Sequence, residues 1–316
     1  MSASDTLVFF HGALGDGVLL WPLLRALQPL TLVGPSSAGQ LAALEIDGLA
    51  TVDDRSPGWT RLFADARAPA AATDSAVPRE LLAARRIVSF VSDGADAWAR
   101  NVAALHPNCQ CWFASPTPPN GVTVHVTEFR SRQLARAGLQ LPLHDVTTVR
   151  ASSQRRIRDE RGCTRPGGVV LAPGSGSREK CWPPAAYERL AGRLIDRGVT
   201  VRILMGHVET ERLDSALRRG WEERFDVRYP PTPIELADEI RFAHLYVGND
   251  SGPTQLAAQL GVATVALFGP TDPRVWSPVG DDVTVIAPPA PRPMDWLAYE
   301  NVERIVNEHV DRVTRG

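Results

Sequence analysis

Short apolar runs alternate with stretches of helical periodicity along the whole chain. LVFF (7–10), TLVGP (31–35), RRIVSFVSD (85–93) and CQCWFAS (109–115) in the first half read as strands, as do VVLA (169–172) and VTVRILMG (199–206) in the second. Between them, LLWPLLRAL (19–27), QLAALE at the head of QLAALEIDGLATV (40–52), PAAYERLAGRLIDRG (184–198) and HVETERLDSALRRG (207–220) predict helices. VTEFRSRQLARAGL (126–139) has the same spacing, with Phe129, Leu134 and Leu139 as its predicted core positions and Arg130, Arg132 and Arg136 as its exposed face. This alternation predicts an α/β protein built on parallel sheets.

The clearest unit is 247–270, VGNDSGPTQLAAQLGVATVALFGP. A β-rich run stops at Ser251-Gly252-Pro253, where a capping hydroxyl, a residue free in φ and a ring suited to a first helical turn follow one another. Leu256, Ala257 and Leu260 share a helix face, Gly261 suits the left-handed position that ends it, and VATVALFG returns as a buried parallel strand. Such a turn aims free backbone N–H groups and a positive helix end beyond the strand, where a phosphate binds readily. A plain capped helix explains the same residues without a ligand.

Both halves begin alike. Strand 7–10 runs into Gly12, Gly15 and Gly17, with Asp16 inside that turn; strand 169–172 runs into the Gly/Ser loop 173–177 and then Lys180. Two Rossmann-like halves with Gly-rich loops at the carboxyl edges of their sheets imply a cleft between domains. The polar, charged stretch 140–166 reads as the join, and its basic cluster suits a solvated face or an anionic acceptor. The expected domains are 1–150, an interdomain segment at 151–166, 167–290, and a tail at 291–316. The spacing of GALGDG departs from G-x-G-x-x-G, which speaks against a dinucleotide fingerprint.

Composition adds exclusions. The 316 residues suit two domains, and a net charge of −2 argues against nucleic acid as a partner. The four cysteines form no CxxC pair, so free thiols in a reducing compartment are expected and no metal site. No cationic leader precedes the first apolar run, and Asp16 interrupts it, so a cytoplasmic protein is expected. Of 34 Lys and Arg residues only Lys180 is lysine. A chain that writes its other cations as Arg keeps one compact ammonium beside a Gly/Ser loop, which suits a diphosphate; chance survival at a surface is the plain alternative. Asp16 reads as a carboxylate aimed at a ligand or as a helix N-cap, and Glu209 as a ribose contact or an ordinary first-turn acid.

GALGDGVLLWPLLRAL, APGSGSREKCWP and GNDSGPTQLAAQLGVATVALFGPTDP resemble, in that order, the signatures of glycosyltransferase family 9, the ADP-heptose:lipopolysaccharide heptosyltransferases. HVTEFRSRQLARAGL (125–139) and PMDWLAYENVERIVNEHV (293–310) are similar to that family's pattern as well, so the resemblance spans nearly the whole chain. It implies a GT-B fold, two Rossmann-like domains facing each other across a cleft, with the acceptor on the N-terminal domain, the nucleotide sugar on the C-terminal one, and the tail helix packing back on the N-terminal domain. It implies Asp16 as general base; Gly15, Arg130 and Arg132 are the acceptor-binding candidates, the arginines being compatible with an anion. It implies Ser175, Ser177, Lys180, Glu209, Asp250, Ser251 and Gly252 at the donor, with Gly176, Thr254 and Gln255 as further donor candidates in the same stretches. The donor implied is a nucleotide sugar, ADP-heptose, with no cofactor or metal. The acceptor implied is a glycan or glycolipid such as anionic lipopolysaccharide core, at most peripherally at the inner membrane. Gln255 stands where family members often carry His, and His11 is the nearest residue to a usual basic position at the first strand, which leaves donor sugar and base open. A sugar-nucleotide epimerase of the same fold and a non-catalytic relative are the alternative readings.

Overall fold

The computed structural model describes residues 5–63, 77–141 and 167–315. The join expected at 151–166, its basic cluster and the boundary at 150 lie outside the described residues. The chain divides into two compact units, Met1–Val146 and Thr147–Gly316.

The first unit runs β1 (Thr6–Phe9), α1 (Leu14–Val18), α2 (Trp21–Leu27), β2 (Leu30–Gly34), α3 (Ser36–Glu45), β3 (Leu49–Asp53), α4 (Pro57–Thr60), α5 (Arg79–Ala83), β4 (Arg86–Ser89), α6 (Ala97–Leu105), β5 (Gln110–Phe113) and α7 (Val126–Arg136). Its five strands pair in parallel in the order β3-β2-β1-β4-β5. Because the central strands are covered on both faces, all four residues of β1 are buried, which is why LVFF carries no alternation. Leu7, Phe9, Ile87, Trp98 and Val102 form the core on one face, with Phe9 meeting Trp98 edge to face at 4.9 Å.

The second unit runs β6 (Gly168–Ala172), α8 (Pro184–Asp196), β7 (Val201–Leu204), α9 (His207–Arg212), α10 (Ser215–Arg224), β8 (Asp226–Arg228), α11 (Pro233–Arg241), β9 (Ala243–Asn249), α12 (Gly252–Gln259), β10 (Ala263–Leu267), α13 (Pro273–Trp276), β11 (Val283–Ile286) and α14 (Tyr299–Arg315). The order β11-β10-β9-β6-β7-β8, all parallel, repeats the first unit's winding with one strand more. α8 buries Tyr187, Leu190, Ala191 and Leu194 at helical spacing and ends at Gly198, whose φ of 77° is the left-handed value its sequence position predicts. Gly261 closes α12 the same way, at φ 76°. α14 places Val302, Val306 and Val310 in the core of this second unit, beside Trp182, Leu297 and Tyr299. Among the described residues no helix is long and apolar enough to cross a membrane.

The structure departs from the sequence reading in several places. The segment 207–220 breaks into α9 and α10, because the Asp214 side chain accepts from the N–H groups of Ala216 and Leu217 and starts a new helix. α6, β8, α11, α13 and β11 escaped the sequence reading, although Thr232 and Glu235 form a full capping box that marks the α11 start. The glycine turn after β1 is shorter than expected, with Asp16 inside α1 and Ala13 as N-cap, so Asp16 does not cap that helix. Arg130, expected on the exposed face of α7, is fully buried. Its guanidinium finds carbonyl partners and an aromatic face inside the first unit, which is what a buried cation requires.

Candidate active site

In a doubly wound sheet, ligands bind beyond the carboxyl ends of the strands where the winding reverses. In the second unit that point lies between β6 and β9. The loop after β6 carries Ser175 to Lys180, and the turn after β9 carries Asp250 to Thr254. Strand order therefore brings together two stretches about seventy residues apart.

Asn249 joins them. It is fully buried at the end of β9; its Oδ1 accepts from the Trp182 N–H (2.9 Å) and the Tyr187 hydroxyl (3.2 Å), and its Nδ2 donates to the Pro173 carbonyl (2.7 Å). Beside it, the Ser175 hydroxyl donates to the Asp250 carbonyl at 2.8 Å. Lys180 Nζ donates to Asp250 Oδ2 at 2.8 Å, and the Thr271 hydroxyl donates to the same oxygen at 2.6 Å. The Asp250 side chain is 9% exposed and Lys180 30%, so the carboxylate is nearly enclosed while its ammonium partner reaches solvent. Arg212 holds the loop from behind, donating to the Ser175 and Gly176 carbonyls at 3.3 Å. Gly176 has open space where a Cβ would stand, and the Ser177 hydroxyl makes no hydrogen bond among the described residues.

α12 starts at the same edge. Ser251 is its N-cap in extended geometry, and its hydroxyl makes no capping bond, so backbone N–H groups at Gly252 and beyond keep their donors. The Ser251 hydroxyl lies 3.1 Å from that of Thr254, which donates to the Asn249 carbonyl at 2.5 Å. Thr254 is fully buried, and Gln255 nearly so, with Nε2 donating to the Trp276 carbonyl (2.8 Å) and Oε1 buried without a partner. These two residues thus brace the turn from inside. Glu209 falls in the first turn of α9, and its side chain lies outside the described residues.

In the first unit, α1 follows β1 at the corresponding reversal point, between β1 and β4, and carries Gly15 and Asp16 half-buried. Arg130 reaches this turn from α7: Nη1 donates to the Asp16 carbonyl at 3.1 Å and Nε to the Pro116 carbonyl at 2.9 Å. Burial lowers the Arg130 guanidinium to about 10, against the Asp16 charge, which raises it. Arg132, by contrast, is exposed and paired with Glu128 one turn away. His11 Nδ1 lies 2.7 Å from Asp54 Oδ2.

Thr271, Asn249, Arg212 and Trp276 are the site residues that sequence reasoning missed. Thr271 lies in the FGPTDP run that ends the third signature, which is the one signal that pointed to it.

Fold and loops define the class first: two Rossmann-type units, each with a Gly-bearing turn at its reversal point, the GT-B arrangement of secondary structure. The profile of glycosyltransferase family 9 (heptosyltransferase) matches residues 113–300, and the chain belongs to that family. It is 31% identical over 152 residues to lipopolysaccharide heptosyltransferase 1 of Pseudomonas aeruginosa, a stretch covering 47% of this chain and 41% of the relative. It is 31% identical over 112 residues to lipooligosaccharide heptosyltransferase 2 of Haemophilus influenzae, covering 34% and 32%. The chain thus spans less than half the length of these relatives in each match. Among solved structures, a family 9 glycosyltransferase from Veillonella parvula superposes with a TM-score of 0.67 at 17% identity, covering 98% of this chain and 97% of that one. Heptosyltransferase WaaC of E. coli with ADP gives 0.63 at 17% identity, covering 96% and 99%. The likeness to these two structures is one of fold.

Proposed function

We propose that this protein is an inverting glycosyltransferase that moves a heptose from ADP-heptose to a hydroxyl of lipopolysaccharide core or a related glycan. The observation that carries the reading is the Lys180–Asp250–Thr271 cluster at the reversal point of a Rossmann-type sheet, beside the uncapped start of α12. Backbone N–H groups, a helix end and one ammonium together form a grip suited to a diphosphate. Family membership and an ADP-bound structure of the same fold support a nucleotide sugar as its occupant.

In this reading Asp16 takes the proton of the acceptor hydroxyl as its oxygen attacks the anomeric carbon. The bond from that carbon to the diphosphate oxygen breaks, configuration inverts, and ADP leaves with charge spread over Lys180 and the α12 N–H groups. Asp250, held by Lys180 and Thr271 through one oxygen, offers the other to a hydroxyl of the transferred sugar. Gly15 and Arg132 stand on the acceptor side, with Arg132 reaching an anion only if it leaves Glu128. The protein works in the cytoplasm, touching the inner membrane at most peripherally.

Calorimetric titration with ADP, UDP, GDP and ADP-heptose tests the donor. The expected result is tightest binding of ADP-heptose and a loss of about tenfold or more on Lys180→Ala, the size of one charge-assisted contact. Asp16→Asn is expected to leave that binding within about threefold while turnover falls by about 10²–10⁴-fold. Preference for UDP or GDP would remove heptose transfer, and conversion of donor alone to an isomer would make the protein an epimerase.

A further inference from the structure

α1 does not hold its own shape. It is a single turn of five residues, two of them glycine, and its N-cap Ala13 offers no side-chain acceptor. Each glycine weakens a helix by about 1 kcal/mol relative to alanine. Yet this turn carries Asp16, and a general base works only when its carboxylate is fixed against the proton it removes.

α7 supplies the missing constraint. Thr127 Oγ1 donates to the Leu19 carbonyl at 2.8 Å, just past the end of α1, and Arg130 Nη1 donates to the Asp16 carbonyl itself. Arg130 Nε is tied to the Pro116 carbonyl, and the guanidinium lies over the Phe10 ring, 5.7 Å from its centre. Thr127 and Arg130 are both fully buried. The third nitrogen, Nη2, is buried with no hydrogen-bond partner.

The charge facing Arg130 is that of Asp16, from α1. The residue after β1 and the loop after β5 meet it with Phe10 and Pro116, neither of them charged. On α7, His125 accepts from the Thr127 N–H as helix cap, and Glu128 is paired with Arg132; after β1, His11 is paired with Asp54. A desolvated cation that faces a carboxylate favours the ionised form of that carboxylate.

From this geometry we infer that Arg130 is the positioning residue of Asp16: it fixes the α1 turn through the Asp16 carbonyl and sets a guanidinium charge beside the residue that carries the carboxylate. The inference rests on Asp16 being the general base. It also replaces the acceptor contact that Arg130 would make if it were exposed.

The test is a carbon-13 carboxyl titration of the ligand-free full chain, with the Asp16 resonance assigned by its loss in Asp16→Asn. In Arg130→Met the Asp16 titration is expected to move up by about 1 pH unit or more; in Arg130→Lys, which keeps the charge and loses the fork, it stays near wild type. Amide exchange at Gly17, Leu19 and Leu20 is expected to quicken about tenfold in both variants, with β1 unchanged. A folded Arg130→Met protein with an unmoved Asp16 titration overturns the charge role. Unchanged exchange in Arg130→Lys overturns the positioning role, and decides the matter if the Met variant does not fold. Wild-type turnover by Asp16→Asn would remove the base reading while leaving the titration result standing.

Discussion

Asp250 Oδ2 receives two donors, an ammonium and a hydroxyl, and at the residue scale this sharing fixes the geometry of the proposed donor site. Two donors on one oxygen restrain the rotation of the carboxylate, so its second oxygen is held at a set orientation. Thr271→Val removes the hydroxyl at nearly constant volume. Titration should then show ADP-heptose binding weakened about tenfold, equivalent to about 1.4 kcal/mol, with Thr271→Ser within about twofold of wild type. Full affinity in the Val variant would mean that Lys180 orients Asp250 unaided. Gln255 belongs to the same scale. Its amide is committed to the Trp276 carbonyl, so the residue in place of the family's frequent histidine braces the wall through its own Nε2.

Elements here are held by their neighbours more than by propensity. α12 can approach β9 because Gly248 leaves room: a Cβ there would meet Thr254 Oγ1 and the Tyr246 ring at 2.8 Å. Tyr187 is fully enclosed between α8 and the sheet, and burial pushes its phenol well above the ordinary value, which keeps it the donor to Asn249. α14 shows the same dependence through His309, 5% exposed, with Nε2 3.1 Å from the Thr284 hydroxyl on β11. Burial first, and Arg312 second, hold its imidazole below the ordinary 6.5. The unfolded chain therefore takes the proton more readily than the folded one. The contribution of His309 to stability is complete above pH 6.5 and is lost as the pH falls through 6.5 toward the lowered folded value. Melting temperatures of wild type and His309→Gln should accordingly differ most near pH 7.5 and converge in acid. A gap constant with pH would show that folding leaves the titration of the ring unmoved.

For the whole molecule, the proposed roles divide between the two units. The residues proposed for the donor lie in the second unit, whereas Asp16 and its support lie in the first. Each unit also has its own core. Residues 147–316 expressed alone are therefore expected to fold and to bind ADP within about tenfold of the full chain, a difference of about 1.4 kcal/mol, and to transfer no sugar. Calorimetry on that fragment checks this, and a folded fragment that ignores ADP would assign part of the nucleotide grip to the first unit.

The sequence alone determined what is local. Buried strands, the amphipathic α8, the glycines that end α8 and α12, and the exceptional Lys180 are all written in runs of a few residues, because burial period and backbone freedom act over that range. Only the tertiary structure decided what lies between distant residues. Lys180 and Asp250 are 70 positions apart and Arg130 and Asp16 are 114, and which of them meet depends on strand order and on which helix covers which edge. Arg130 makes the point most sharply. By helical spacing it belongs to a polar face, but a helix face is polar only when nothing packs on it, and here α1, the loop after β5 and Phe10 just past β1 supply the carbonyls and the ring that allow a cation inside.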